Sequence, residues 1–339
     1  MRFGVFDHMD RSVEDLARQY EDRLVLAEAY DRAGFHAYHL AEHHGTPLGL
    51  APSPSVFLAA VAQRTSRLRL GPLVYTLALY NPVRLVEEVC MLDALSGGRL
   101  ELGVGRGISP IELRMLGVDP DEAQSMYAER LEILLRGLTS ERLDFDGEHH
   151  VLRDVPMELR PVQRPHPPLW YGLGRAESAP RVARQGMNAV CNGPAEAVRA
   201  ITDAYRAAWA EMGRAADDLP LLGRSHHLVI ADTDAEARDL ARPAYGEWFA
   251  SLDHLWREHG TRVPLPMPED ADAAIAAGIC VAGSASTVRE RLLDECARAG
   301  VTYLLGRFAF GALPLDASLR SVELFEHEIA PAIMDAAAV

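Results

Sequence analysis

Short apolar runs alternate with longer amphipathic stretches along the whole chain. The amphipathic stretches repeat apolar residues at intervals of three and four, which is typical of helices with one buried face. Such helices are predicted at residues 12–33, 54–64, 83–95, 122–138, 177–185, 194–212, from 234 onward and at 318–334. The apolar runs predict strands at residues 2–6, 36–40, 68–76, 99–105, 169–174, 187–192, 221–231 and 300–308. Strands separated by helices need crossover connections, so the sheet should be parallel.

Eight strand–helix units in 339 residues favour an α/β fold of the (β/α)8 TIM barrel type, as one domain over residues 1–339. A doubly wound open sheet is the alternative, but the glycine fingerprint that usually follows its first strand is absent. Residues 144–168 contain five prolines and predict an irregular connection around the base of the barrel. Residues 243–278 exceed the length of one unit. They predict an insertion near the C-terminal strands, which either covers the substrate as a lid or packs against the barrel.

Composition narrows the possible functions mainly by exclusion. The chain has 34 basic and 49 acidic residues, a net charge of −15, and every basic residue is Arg. Without Lys there is no Schiff-base lysine and no P-loop lysine. An acidic chain is a poor candidate for sequence-independent nucleic-acid binding. The four Cys form no CxxC pair and predict reduced thiols in a cytoplasmic protein, and no apolar stretch reaches the 18 residues of a membrane span.

Three titratable residues follow the second predicted strand, at the end where barrels of this kind carry their chemistry. They are Glu42, His43 and His44. Because side chains alternate along a strand, Glu42 and His44 should share one direction while His43 points the other way. A histidine there can transfer a proton near neutral pH. A structural role at the rim is the alternative, and metal binding is disfavoured because adjacent strand residues converge poorly.

Glycines accompany an arginine after both the fourth and the fifth predicted strand. Arg106 has a glycine on either side, which leaves room for a flat ligand or a phosphate. Gly172, Gly174 and Arg175 lead into a predicted helix, whose free N–H groups favour an anion, and Ser178 adds a hydroxyl. Guanidinium groups suit phosphate well. Together these residues predict a phosphorylated ligand, while an exposed Arg at a bend and a helix-capping Ser are the structural alternatives.

In their order and spacing, these motifs resemble those of the bacterial-luciferase-like flavin-dependent monooxygenases. The resemblance covers nearly the whole chain except residues 232–278, and it implies the same (β/α)8 barrel. The matching stretches are RFGVF at the start, GFHAYHLAEHH, SRLRLGPLVYTLALYNPVRLVEEVCMLDALSGGRLELGVGRG, PPLWYGLGRAESAPRVARQG, VAGSAS at 281–286 and EIAPA at 328–332.

The resemblance also implies a cofactor and a set of site residues. Reduced FMN, or a deazaflavin in other branches of the family, would lie across the barrel mouth, with His43 as the catalytic base. The flavin ring would rest on a non-proline cis peptide between Leu73 and Val74, and the turns around Arg106 and Gly174 would hold the phosphate. The cofactor-binding residues that it implies are Glu42, Leu73, Val74, Arg106, Gly172, Gly174, Arg175 and Ser178.

Two departures from the luciferase pattern shape the expected activity. Gly105 stands where luciferase has a reactive cysteine, and Gln124 where it has a second phosphate-binding Arg. The first argues against bioluminescence, and the second weakens the phosphate site, although Arg175 could compensate.

The leading expectation is a two-component monooxygenase. A separate flavin reductase would supply reduced FMN, and dioxygen would be used to oxidise a small organic substrate. The alternatives are a deazaflavin-dependent hydride-transfer enzyme, a non-catalytic flavin-binding protein and, least favoured, a metal-dependent hydrolase. The resemblance also implies a homodimer that pairs through the second and third helices. The apolar face of the third helix could form that interface or belong to the core; its residues are Val86, Val89, Cys90 and Leu92.

Overall fold

A parallel sheet closes into a nearly complete barrel in the computed structural model, which describes residues 1–265 and 267–335. The hydrogen-bonded order is β3-β2-β1-β12-β10-β9-β8-β5-β4, and a bridge from Leu70 to Leu100 closes the ring. The strands are β1 (Arg2–Asp7), β2 (Ala37–Leu40), β3 (Arg69–Pro72), β4 (Tyr75–Thr76), β5 (Leu102–Gly105), β6 (Arg142–Asp146), β7 (Val151–Pro156), β8 (Leu169–Gly172), β9 (Asn188–Cys191), β10 (Leu222–Ile230), β11 (Cys280–Gly283) and β12 (Tyr303–Arg307).

Helices surround the barrel and connect its strands. They are α1 (Leu16–Arg32), α2 (Pro54–Arg64), α3 (Pro82–Leu95), α4 (Pro110–Met115), α5 (Ala123–Thr139), α6 (Ala179–Arg184), α7 (Ala195–Glu211), α8 (Asp234–Glu258), α9 (Ala271–Ala276), α10 (Ala285–Ala299), α11 (Leu315–Leu324) and α12 (Ala330–Asp335). A π-helical turn, Phe325–Ile329, joins the last two. None of the described helices combines the length and hydropathy required to cross a bilayer.

Local sequence signals explain where several helices begin and end. The Asp15 side chain accepts hydrogen bonds from two backbone N–H groups of the first turn of α1. Asn81 does the same for α3, whose first residue is Pro82. Gly300 ends α10 in the left-handed region, with φ of 62°. Polar N-caps, proline in the first turn and glycine past the last turn are the expected signals for these positions.

The TIM-barrel prediction is confirmed, with β3 and β4 sharing one of eight positions around the ring. The strands are recognisable as apolar runs because both of their faces are buried; all nine residues of β10 are buried, for example. The apolar face of α3 belongs to the core as well, so it is not available for dimer formation. Its residues Val86, Val89, Cys90 and Leu92 are all buried within the chain.

Two predictions of local structure need correction. Residues 144–168 are not wholly irregular, because β6 and β7 form an antiparallel hairpin around the Asp146-Gly147 turn. A further strand, β11, pairs with the outer half of β10. Residues 243–278, predicted as an insertion, continue α8, include α9 and lead into β11, while Pro266 lies outside the described residues.

Inward-facing side chains fill the lower part of the barrel. Tyr303 accepts or donates a hydrogen bond at 3.0 Å with Nε2 of His39, and both rings pack against Trp170. The Trp170 indole N–H donates to the carboxylate of Glu101, which also receives the guanidinium of Arg69. Every charged group of this layer therefore has a partner supplied by the chain.

Candidate active site

Four strand ends bring the predicted site residues to one side of the barrel mouth. Thr76 of β4 is the register partner of Gly105 at the end of β5, and Gly103 of β5 is the partner of Trp170 in β8. The Glu42 carboxylate, just beyond β2, accepts the backbone N–H of Thr76 at 3.1 Å. The Glu42–His44 segment, the Leu73–Val74 bond, Arg106 and the Gly172–Arg175 turn thus follow neighbouring strands at the same end of the barrel.

Glu42 is buried, and both of its carboxylate oxygens have hydrogen-bond partners. One oxygen accepts the Tyr80 hydroxyl at 2.9 Å in addition to the Thr76 N–H, and the other contacts Nε2 of His44 at 2.9 Å. Burial and the charge of Glu42 raise the pKa of Tyr80, which keeps this phenol protonated. Burial alone would lower the pKa of His44, but the hydrogen bond and charge of Glu42 raise it above its ordinary value.

His43 has a different partner from His44, in keeping with the predicted alternation, and contacts Glu112. Its Nδ1 lies 3.1 Å from one carboxylate oxygen of Glu112, and the other oxygen accepts the backbone N–H of His44 at 2.9 Å. Because a carboxylate only accepts hydrogen bonds, we assign the proton to Nδ1, which leaves Nε2 with a free lone pair. This arrangement resembles an oriented general base.

Sequence reasoning missed Glu112, although a signal for its helix is present. Ser109 is the N-cap of α4, and its side chain accepts the backbone N–H of Glu112 at 3.2 Å. A serine followed three residues later by glutamate is the pattern of a capping box. That pattern locates the start of a helix, but it contains no information about the contact of Glu112 with His43, which lies 69 positions away along the chain.

An apolar pocket, partly open to solvent, lies beside His43 and Glu112. Residues of α8 and of the following loop form much of its wall, including Leu252, Trp256 and Val263. The first half of the predicted insertion therefore contributes directly to this pocket. A lid movement of this segment stays a prediction. The remaining lining residues are Thr46, Leu48, Ile108, Ser109, Leu255, Pro264 and Leu265.

Trp248 has a different environment from Trp256, the tryptophan that lines the pocket. It is buried, and its indole N–H donates to Nδ1 of His8 at 3.3 Å. Its ring also lies 4.1 Å from that of His227 in β10, measured between centroids. Trp248 therefore packs against the barrel, whereas Trp256 lines the pocket.

The Leu73–Val74 bond is a cis peptide, as the resemblance implies. Glycines in β5 allow the chain around this bond to lie directly against the strand. A Cβ on Gly103 would lie 2.1 Å from the carbonyl oxygen of Pro72, and one on Gly105 would lie 2.4 Å from Cγ2 of Val74. Gly105, identified above as a departure from the luciferase pattern, is therefore required here by the close approach of Val74.

The turn after β8 presents open space and positive charge. Apart from their immediate chain neighbours, no atom of the described residues lies within 4 Å of a Cβ built on Gly172 or on Gly174, and both glycines are exposed. Arg106 and Arg175 are exposed too, and neither has a carboxylate within 4.0 Å in the described part of the chain. These residues could hold a phosphate. Ser178 is half-buried next to them, and its side chain forms no capping bond.

The predicted helix after this turn starts later than expected. A 3-10 turn, Ala176–Ser178, comes first, and α6 has only six residues. Because so short a helix has a weak dipole, an anion bound at this turn would be held mainly by the two arginines and by the free backbone N–H groups of the turn. Within residues 1–265 and 267–335, no group of three or more His, Cys, Asp or Glu side chains is arranged to hold a metal ion.

Comparison with known proteins identifies the family. A family model described as luciferase-like monooxygenase matches residues 1–303. The chain belongs to the luciferase-like monooxygenase family. Within this family it is 49% identical over 332 residues to the uncharacterized protein y4wF of Sinorhizobium fredii, covering 97% of this chain and 96% of that protein. It is 30% identical over 330 residues to 4-hydroxyprotoasukamycin monooxygenase of Streptomyces nodosus subsp. asukaensis, covering 91% and 85% of the two chains.

Solved structures of monooxygenases share the fold of this luciferase-like chain. The monooxygenase RslO1 from Streptomyces bottropensis superimposes with a TM-score of 0.88 at 27% identity, covering 98% of this chain and 99% of that one. The oxygenating constituent of 3,6-diketocamphane monooxygenase from Pseudomonas putida, solved in complex with FMN, gives a TM-score of 0.80 at 21% identity, covering 98% of both chains. At that identity, the second likeness shows the fold alone.

Proposed function

We propose that this protein is the oxygenase of a two-component flavin-dependent monooxygenase. It would bind reduced FMN, supplied by a separate reductase, at the barrel mouth and use dioxygen to oxidise a small organic substrate. Membership of the luciferase-like monooxygenase family supports the reaction class. The diketocamphane enzyme is an oxygenating constituent solved in complex with FMN, which supports the cofactor and the division of labour.

The single observation that carries the proposal is the arrangement of the mouth, which fits a flavin mononucleotide. The turn at Gly172 and Gly174 offers open space, while Arg106 and Arg175 offer two charges without carboxylate partners among the described residues. A phosphate group matches these features. The apolar side chains of Leu73 and Val74, which pack in one cluster, offer a wall for a planar ring.

Each group of the mouth then has a distinct part in the reaction. Reduced FMN, when bound, supplies the electrons that activate dioxygen. His43 accepts a proton at Nε2, and Glu112 keeps the imidazole in the tautomer that makes this possible. Glu42 accepts the backbone N–H of Thr76. This bond fixes the nearby Leu73–Val74 segment, against which the flavin ring would rest. The apolar pocket next to His43 holds the substrate and limits access of water.

Anaerobic titration with reduced FMN tests the binding site. Replacing a guanidinium that contacts phosphate removes a charge-assisted bond worth about 1.5–3 kcal/mol, so Arg175→Gln and Arg106→Gln should each raise Kd by about tenfold or more. Arg32→Gln is the matched control, because Arg32 is exposed at the end of α1. Equal affinity in all variants would refute the phosphate site.

The same titration with a deazaflavin separates the main alternative. The proposed oxygenase binds reduced FMN more tightly and consumes dioxygen when a reductase supplies it. Tighter binding of the deazaflavin, with no dependence of turnover on dioxygen, would instead support a hydride-transfer enzyme. A protein that binds FMN but shows no turnover with either cofactor would be a non-catalytic flavin carrier.

We also propose a homodimer that pairs through α2 and α3. Because the apolar face of α3 is buried in the core, exposed residues of the two helices would form the interface. Val56 of α2 is 73% exposed, and Met91 and Leu95 of α3 are 55% and 51% exposed. Exposed apolar side chains grouped on neighbouring helices are typical of interaction surfaces. Sedimentation analysis should give a dimer that Leu95→Glu converts to a monomer, and a monomeric wild type would refute the proposal.

A further inference from the structure

A buried arginine closes the upper layer of the barrel interior. Arg307 is the last residue of β12 and is 4% exposed. Its guanidinium lies over the ring of Phe6, 4.8 Å from the centroid, and 5.9 Å from that of Trp248. Its Nη2 donates to the side-chain oxygen of Asn192 at 3.2 Å, while its Nε is buried with no partner in the described structure.

No carboxylate forms an ion pair with this guanidinium within the described part of the chain. Asp7 and Asp10 attract it from more than 4.0 Å away, and both lie beside Arg23 instead, at 3.0 and 3.9 Å. Burial lowers the pKa of Arg307 to about 10, so the group stays charged near neutral pH. A buried charge without an ionic partner is unfavourable unless a ligand completes it.

The side chains that surround Arg307 are uncharged near neutral pH. Burial, reinforced by the charge of Arg307, holds the pKa of both His8 and His227 well below the ordinary histidine value. Neither ring nitrogen of His227 has a hydrogen-bond partner among the described residues. Asn192 and Ser225, which are hydrogen-bonded to each other, complete the layer without adding charge.

Arg307 lies on the wall opposite the proposed phosphate site. Eight positions make up the ring, and β12 is four positions from β5, after which Arg106 follows. Phe6 and His8 stand in a row between Arg307 and His43, since the His8 ring centroid is 4.8 Å from that of Phe6 and 5.8 Å from that of His43. Asn192, the partner of Arg307, is exposed. A ligand whose apolar body fills the pocket could therefore present an acidic group to Arg307.

We infer that Arg307 and Asn192 form a recognition site for a carboxylate, so that the substrate is a small organic acid with an apolar body. The inference rests on the proposed function, in which the flavin occupies the opposite side of the mouth. Arg307 offers a forked set of donors that matches a carboxylate. The apolar pocket lined by Leu252 and Trp256 would accept the remainder of the substrate.

Binding of benzoate and of its neutral isostere benzamide, measured by calorimetry on the FMN-loaded protein, tests the inference. Wild type should bind benzoate at least about tenfold more tightly than benzamide, because only benzoate forms a buried ion pair with Arg307. Arg307→Met should remove this preference without changing the Kd of FMN. Loss of FMN affinity with an unchanged benzoate preference would overturn the inference, because the cation would then serve the flavin.

A second variant keeps the test valid if Arg307→Met does not fold. Asn192→Asp leaves the arginine in place and supplies an internal carboxylate at 3.2 Å from its Nη2, since the amide oxygen already occupies that position. It should weaken benzoate binding at least about tenfold and leave benzamide unaffected. Unchanged benzoate binding in this variant would assign Arg307 a structural role only.

Two failures are distinguishable in this design. A wild-type protein that does not bind reduced FMN would refute the proposed function, whatever the result with benzoate. A wild-type protein that binds FMN but does not prefer benzoate to benzamide would refute the carboxylate site alone.

Discussion

Two layers of the barrel interior each bury one ionised side chain, and they surround it differently. Glu101 in the lower layer is 2% exposed and contacts the guanidinium of Arg69 and the indole N–H of Trp170. Arg307 in the upper layer has an amide partner and aromatic neighbours, but no carboxylate within the described residues. The chain itself therefore neutralises the lower charge, whereas the upper charge is left available to a ligand.

The difference follows the division of labour in barrels of this type. Residues at the N-terminal ends of the strands stabilise the fold, and residues at the C-terminal ends bind and react. Glu101 precedes β5, while Arg307 ends β12. We expect substitutions in the lower layer to change stability and substitutions around the mouth to change binding or rate. The four predictions below test this separation.

The largest effect is expected at the rim. His43→Ala removes the proposed proton acceptor, so product formation with any accepted substrate and supplied reduced FMN should fall by roughly 10²–10⁴-fold. The free energy of unfolding should stay close to that of wild type, because His43 lies at the edge of the pocket. His327→Ala is the control, since this histidine is exposed between α11 and α12. A rate unchanged in His43→Ala would exclude His43 as the base.

The second effect concerns stability alone. Glu101→Gln leaves the Arg69 guanidinium without its ionic partner, and Arg69, with a side chain 24% exposed, regains only part of its hydration. We expect the free energy of unfolding to fall by about 2–3 kcal/mol, measured by chemical denaturation. The Kd of reduced FMN for the folded protein should not change. A large loss of FMN affinity would contradict the separation of the two layers.

A smaller effect on stability is expected for the upper charge. Arg307→Met replaces a buried, unpaired cation by an apolar side chain of similar length. The free energy of unfolding should stay within about 1 kcal/mol of wild type or increase, because replacing a buried charge by apolar packing is often neutral or stabilising. Denaturation in parallel with Glu101→Gln provides the comparison. A loss as large as that of Glu101→Gln would show that Arg307 supports the fold.

The smallest effect depends on pH. Glu42 raises the pKa of His44 in the folded protein above the ordinary 6.5, so folding favours the protonated histidine. The stabilisation that protonated His44 adds to the folded protein should be fully present below pH 6.5 and should disappear as the pH rises through the raised folded pKa. The difference in unfolding free energy between wild type and His44→Gln should be about 1 kcal/mol at low pH and smaller at high pH. A difference that grows with pH would contradict this assignment.

Much of the site was readable in the sequence because it depends on neighbours along the chain. The alternation at residues 42–44 separated His43 from Glu42 and His44, and the structure gives them different partners. The hairpin at β6–β7 was also readable, since the buried residues of RLDFD alternate and a Gly follows. The prolines after it led to the wrong prediction of an irregular segment.

The sequence by itself determined the apolar runs, several helix caps and the approximate positions of the strand ends, since these depend on local periodicity and capping. Only the tertiary structure decided that Glu112 contacts His43, that Gly105 admits Val74, and that Arg307 has no carboxylate partner among the described residues. These contacts join residues far apart in sequence, and closure of the barrel sets their distances. A charge in the sequence does not reveal whether the fold neutralises it, because its partner is chosen by packing.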